Sequence, residues 1–201
     1  MTRLTVGILL FDGFELLDVY GPAELWARAF DLRLVAERAG LVTSAQGPQT
    51  LAEDSFSDDC SYDILLVPGG IGTRREVGNQ VLLDWLRRQS ATAKYVTSVC
   101  TGAALLAKAG ILDGRTATSN KRAFQWVVSQ GPKVNWKTQA RWCEDGQFWT
   151  SSGVSAGMDM AVALLAKAVG VEAAQEAAIY AEYDPHTDPE WDPFAKVHGL
   201  V

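Results

Sequence analysis

The tetrapeptide Ile64-Leu65-Leu66-Val67 contains no polar side chain, and Pro68-Gly69-Gly70 closes it at once. A strand with one wet face alternates apolar and polar residues, so a run like this fits a strand covered on both faces. Leu4–Leu10 is a mainly apolar, β-like run, and Leu32–Ala36 and Tyr95–Val99 are further short strands. Between them lie stretches of helical spacing: Glu15–Ala29 with Pro22 inside it, about 76–91, and Gly102–Ala109. Buried strands alternating with helices predict an α/β fold, a parallel sheet with helices on both sides. Residues 40–60, punctuated by Gly, Pro, Ser and Asp, read as turns and edge strands.

The second half continues the pattern. Thr116–Thr118 reads as a strand, Lys121–Ser129 as a helix, and Asn120 as that helix's N-cap. Val134–Trp142 and Gln147–Ser151 are expected to form a hairpin turning at Glu144-Asp145-Gly146. A long Ala-rich helix is expected from Ser155 into the 170s, bent near Gly170. With no internal repeat and no linker composition, residues 1–201 are expected to form one domain. Residues 182–201 form an acidic tail with three prolines; a mobile segment is one reading. Packing of Tyr183, Trp191 and Phe194 on a neighbouring surface or a second subunit is the favoured one.

The net charge of -6, from 18 Lys+Arg against 24 Asp+Glu, argues against a nucleic-acid surface, which needs clustered basic residues. It favours a small-molecule partner. The first apolar run is too short to span a membrane or serve as a signal peptide. Cys60, Cys100 and Cys143 form no CxxC pair, so neither a disulfide framework nor a zinc site is expected, and free thiols suit a reducing cytoplasm. The two histidines, His186 and His198, both sit near the C-terminus, which leaves no histidine-rich metal site.

In open parallel sheets ligands bind outside the carboxyl ends of the strands. Three features fall there: Glu15 and Asp18 after the first strand, Gly69-Gly70 after the third, and Cys100-Thr101-Gly102 between a strand and a helix. Most cysteines are buried and inert. Cys100, however, sits on a sharp strand-to-helix bend, where helix amides are expected to lower its pKa and make it nucleophilic. Cys60 and Cys143 read as structural. Gly69-Gly70 is either a tight turn or, with the Thr101 N–H, part of an oxyanion pocket. Neither GxGxxG nor GxxxxGK[ST] fits these glycines. Asp18 lies between apolar flanks, where an acid is costly unless paired. It reads as a helix cap or as a carboxyl group facing the Cys100 sulfur, with Glu15 one turn earlier as its competitor.

With these residues placed, the sequence resembles the ThiJ/PfpI superfamily. The resemblance rests on Gly7-Ile8-Leu9-Leu10-Phe11, Leu17-Asp18-Val19-Tyr20-Gly21-Pro22, Val67-Pro68-Gly69-Gly70, Ser98-Val99-Cys100-Thr101-Gly102-Ala103 and Gly110 through Thr118. It implies a flavodoxin-like three-layer sandwich, a homodimer, and no cofactor. It maps Cys100 to the nucleophile, Asp18 to the acid hydrogen-bonded to it, and Gly70 and Thr101 to backbone donors. Asp in the first motif with Cys-Thr-Gly at the elbow is similar to the isocyanide hydratase branch and to the regulatory domains of AraC-type regulators. The Cys-His dipeptide of the peptidase and glyoxalase members is absent. Ser119-Asn120-Lys121 stands where several hydratase-like relatives carry Thr-His-Trp. The leading expectation is a hydro-lyase converting an isocyanide to an N-substituted formamide through a Cys100 thioimidate. An oxidation-sensing stress protein and a ligand-binding regulatory domain stand beside it.

Overall fold

The computed structural model describes residues 3–201. In chain order the elements are β1 (Thr5–Leu9), α1 (Leu16–Trp26), β2 (Asp31–Ala36), β3 (Gly40–Thr43), β4 (Gln49–Ala52), β5 (Asp54–Ser55) and β6 (Ile64–Val67). There follow α2 (Thr73–Glu76), α3 (Gln80–Thr92), β7 (Tyr95–Ser98), α4 (Gly102–Lys108), β8 (Thr116–Ala117) and α5 (Phe124–Gln130). The chain continues through β9 (Asn135–Trp136), β10 (Trp142–Asp145), β11 (Phe148–Ser151), α6 (Ala156–Ala168), α7 (Val171–Tyr180) and α8 (Phe194–Val197).

Seven strands form one sheet in the order β10-β11-β7-β6-β1-β2-β5, parallel except for the β10–β11 hairpin. The expectation of a parallel sheet holds, and its physical basis is visible: all four β6 side chains are fully buried. Helices α1, α6 and α7 pack together, as do α2 to α5, giving the two outer layers of a flavodoxin-like sandwich. The chain runs outward from β1 through β2 to β5, then crosses to β6 on the other side of β1. That reversal opens a crevice at the carboxyl ends of β1 and β6.

Four expectations are corrected. The helix expected over residues 76–91 starts later, as α3 at Gln80, because Asn79 caps it, accepting from the Leu82 N–H, while Glu76 ends the separate short helix α2. Val134–Trp142 is not one strand. Asn135 and Trp136 pair in parallel with Thr116 and Ala117, and the hairpin partner of β11 begins only at Trp142. The Ala-rich helix is broken rather than bent, since Gly170 takes φ +139°, outside any helix. The Lys121 reading also shifts: its ammonium turns inward to the Thr118 hydroxyl (2.7 Å) and the Ala140 carbonyl (2.6 Å), and α5 starts at Phe124. Asn120 still caps the approach, accepting from the Ala123 N–H at 2.8 Å.

The tail is docked on the protein through Tyr183, but the expected packing of Trp191 and Phe194 is corrected: both stay about half exposed, because polar and backbone contacts rather than these rings hold the segment. Arg141 Nε (2.6 Å) and Nη2 (2.5 Å) both reach Asp159 Oδ2. The other Asp159 oxygen accepts from the Tyr183 hydroxyl (2.5 Å) and the His186 N–H (2.8 Å). The Pro189 carbonyl accepts from the Arg141 N–H at 2.7 Å, so the tail is strapped to the edge of the sheet.

Candidate active site

Cys100 lies one residue past the end of the β7 ladder extension, with φ +57°; only it and Glu182 are non-glycine residues at positive φ among the described residues. For an L-residue that conformation costs roughly 1–2 kcal/mol, and such strain gathers where function over-determines the backbone. The surrounding contacts do over-determine it. The Cys100 N–H donates to the Ser152 carbonyl (3.2 Å), and the Ser119 hydroxyl donates to the Cys100 carbonyl (2.7 Å). Gly102 follows because a Cβ there would lie 2.2 Å from the Val67 carbonyl oxygen. Gly69 approaches from the other side, where a Cβ would meet the Thr101 nitrogen at 2.6 Å and Cys100 Cβ at 2.8 Å.

Asp18 is the third residue of α1 and is fully buried. It is not the helix cap. Its Oδ2 accepts from the Gly69 N–H at 2.8 Å, and its Oδ1 has no partner. Pro22, four residues on, brings no N–H to the Asp18 carbonyl, so the helix gives up one rung at this point. Burial pushes the Asp18 carboxyl well above its ordinary value; the Gly69 hydrogen bond opposes that, and the charge of Glu15 adds to it. Glu15 thus acts on the site from outside, with its own carboxylate bound by the Gln46 amide at 2.5 Å.

The Cys100 thiol behaves contrary to the expectation of a lowered pKa. Burial pushes it well up, and the negative charge of Asp18 pushes it further. The Thr101 N–H and hydroxyl act in the opposite direction and are outweighed. Helix α4 has only seven residues, too short for its amides to offset full desolvation. No hydrogen bond joins Asp18 to Cys100; the two are coupled through their charges. A thiol and a carboxyl that each resist ionisation, each in the other's field, form a pair suited to passing one proton between them.

The donors are arranged differently from the sequence reading. The Gly70 N–H is not free: it donates to Thr101 Oγ1 at 3.0 Å. The Gly69 N–H is the donor that holds the acid. The Thr73 hydroxyl donates to the Gly70 carbonyl (2.8 Å) and lies 3.2 Å from Thr101 Oγ1, so Thr73, Gly70 and Thr101 form one small network beside the sulfur. Thr101 therefore contributes its hydroxyl as well as its N–H. No histidine is among the groups acting on Cys100, and His186 packs against Trp191 in the tail. Cys143 is a buried thiol pushed up to about 12 by desolvation, and all three cysteines are free.

Sequence reasoning passed over Arg74. Its guanidinium stacks 3.3 Å above the Trp126 ring, and the Cys100 thiolate is the one acidic group whose charge acts on it. Nothing in Gly72-Thr73-Arg74-Arg75 distinguishes the two arginines by residue type. Only the docking of α5 beside α2 does.

The chain matches the DJ-1/PfpI family over residues 4–167. It is 36% identical over 184 residues to the isonitrile hydratase of Pseudomonas putida, covering 90% of this chain and 79% of that protein. It is 28% identical over 182 residues to the HTH-type transcriptional regulator GbdR of Pseudomonas aeruginosa, covering 84% of this chain but only 47% of the regulator. Among solved structures it superposes with a TM-score of 0.85 and 28% identity on a ThiJ/PfpI family protein from Pseudomonas syringae, over 100% of this chain and 85% of that one. By sequence and by fold together, the chain belongs to the DJ-1/PfpI family.

Proposed function

We propose that this protein hydrates an isocyanide to an N-substituted formamide, with Cys100 as nucleophile and Asp18 as proton carrier. The observation that carries the reading is the Asp18 carboxyl, with one oxygen fixed by Gly69 and the other bare and buried, in the field of a strained, buried thiol. The likeness to isonitrile hydratase supplies the substrate class.

The reactive state holds one proton on the pair. As the sulfur attacks the terminal carbon, the proton resides on Asp18, which delivers it to that carbon to give the thioimidate S–CH=N–R and a carboxylate. The carboxylate then takes a proton from water as hydroxide adds to the same carbon, and returns it to nitrogen. Collapse expels the Cys100 thiolate, the hydroxyl proton passes back to Asp18, and HC(=O)–NH–R leaves. Atoms and charge balance: one water is consumed and the pair ends as it began. Thr101 donates to the sulfur when it is anionic, at the start and at the end.

The test is turnover on a panel of alkyl and aryl isocyanides, following formamide release and trapping the Cys100 adduct by mass spectrometry. Cys100→Ala is expected to abolish turnover, and Asp18→Asn to lower kcat by about 10²–10⁴-fold, the usual worth of a positioned proton donor. Full activity in Cys100→Ala overturns the covalent mechanism.

A further inference from the structure

An oxygen that adds to a carbon held on Cys100 needs a hydrogen-bond donor, and several donors around the elbow are already spent. The Gly69 N–H is on Asp18, and the Gly70 N–H is on Thr101 Oγ1. The Thr73 hydroxyl is on the Gly70 carbonyl, and the Ser119 hydroxyl is on the Cys100 carbonyl. Asn120 keeps its donors. Its Oδ1 accepts from the Ala123 N–H at 2.8 Å, which settles which end of the amide is oxygen. Among the described residues no protein group accepts from its Nδ2. Two contacts tie this amide to the elbow. Ser119, the preceding residue, holds the Cys100 carbonyl at 2.7 Å. On the other side, Nδ2 fills the place beside Gly153, where a Cβ would lie only 2.1 Å from it. Gly153 follows Ser152, whose carbonyl takes the Cys100 N–H at 3.2 Å. Strand β7 lies between β6 and β11 in the sheet. Cys100 therefore stands between the Gly69 turn, which holds Asp18, and the Ser152-Gly153 turn, against which Asn120 packs.

The geometry points to Asn120 as the donor that holds the reacting oxygen at Cys100: water as it adds to the thioimidate carbon, and the formamide carbonyl as it leaves. This rests on the hydratase reading for the reaction, but the grip on a carbonyl oxygen can be measured without turnover. Asn120 makes and breaks no covalent bond. Its N–H groups donate to the oxygen while Asp18 takes and returns the proton. An isocyanide brings no oxygen of its own, so Asn120 acts on hydration and on the product rather than on substrate binding.

Two variants remove the amide donors and keep the approach to α5 capped: Asn120→Asp retains the accepting oxygen, and Asn120→Gly is a tolerated cap that adds no charge. The first measurement is protection of Cys100 from iodoacetamide by N-benzylformamide, read by peptide mass spectrometry. The protection constant is expected to weaken about tenfold in both variants, the worth of one hydrogen bond. Without the formamide, Cys100 in Asn120→Gly should label at the rate of the unaltered protein, which reports an intact elbow. The second measurement is turnover of benzyl isocyanide, where kcat should fall about 10²-fold with KM nearly unchanged. The proposal is overturned by a protection constant that is unchanged in Asn120→Gly, by a loss confined to Asn120→Asp, or by no protection of the unaltered protein. A rise in KM with kcat intact also overturns it. If the unaltered protein does not hydrate benzyl isocyanide, the hydratase reading fails, and the protection constants still decide whether Asn120 holds a carbonyl oxygen.

Discussion

Burying a carboxyl group with one oxygen unpartnered costs stability that an apolar or neutral residue would not. For Asp18 the sign follows from linkage. Its pKa is raised on folding, so the unfolded chain ionises first as pH climbs, and stability is lost through the window between the ordinary carboxyl value and the raised one. Asp18→Asn, which removes that ionisation, is therefore expected to raise Tm, and the gain should grow as pH rises through this window. Thermal denaturation across a pH series checks it, and a gain independent of pH would contradict the buried-acid account. The same substitution removes the negative charge that lifts the Cys100 thiol, so the pH profile of Cys100 alkylation by iodoacetamide should move to lower pH. Asp18 was legible in the sequence because an acid between Leu17 and Val19 is conspicuous. Its partner was not, because the Gly69 N–H comes from a turn 51 residues away.

At the scale of the elements, the elbow between β7 and α4 stores strain at a single residue. Cys100→Gly and Cys100→Ala both delete the sulfur, but only glycine is at ease at φ +57°. The glycine variant should be the more stable of the two by roughly 1 kcal/mol, read as a difference in Tm or denaturation midpoint. Strand β6 could be read from the chain because two covered faces demand an unbroken apolar run. Strand β9 could not. It is two residues long, pairs outside the main sheet, and its neighbours at 137–141 are held by contacts from distant segments, including the Pro189 carbonyl on the Arg141 N–H. The break between α6 and α7 lay on the one glycine the sequence flagged, but composition cannot tell a bend from a full break when alanines flank both sides.

Across the whole molecule, the buried ion pair of Arg141 and Asp159 joins the tail to the elbow. The Arg141 carbonyl accepts from the Ser152 N–H at 2.8 Å, and the Ser152 carbonyl accepts from the Cys100 N–H. Asp159→Ala leaves a buried guanidinium with only the Ser155 hydroxyl at 3.5 Å and Asp192 at 3.9 Å among its side-chain partners, and is expected to cost about 3–5 kcal/mol. Tyr183→Phe removes one bond to the same carboxylate, and should cost about 1.5–3 kcal/mol by chemical denaturation. Loss of Cys100 reactivity should accompany the first more than the second. The acidic excess of the chain, uninformative as composition, is here partly resolved into carboxylates with assigned partners. The strap has one more consequence. A sheet ends in two strands whose outer hydrogen-bonding groups invite a foreign strand. On one side β5 is only two residues long. On the other, the proline-rich strap lies along the start of β10 and occupies its first amides with a carbonyl that leads into no ladder. Removing residues beyond Tyr180 would then do more than loosen the elbow: it would leave β10 open to templated association, and the shortened protein should be lost to aggregates before it is lost to unfolding.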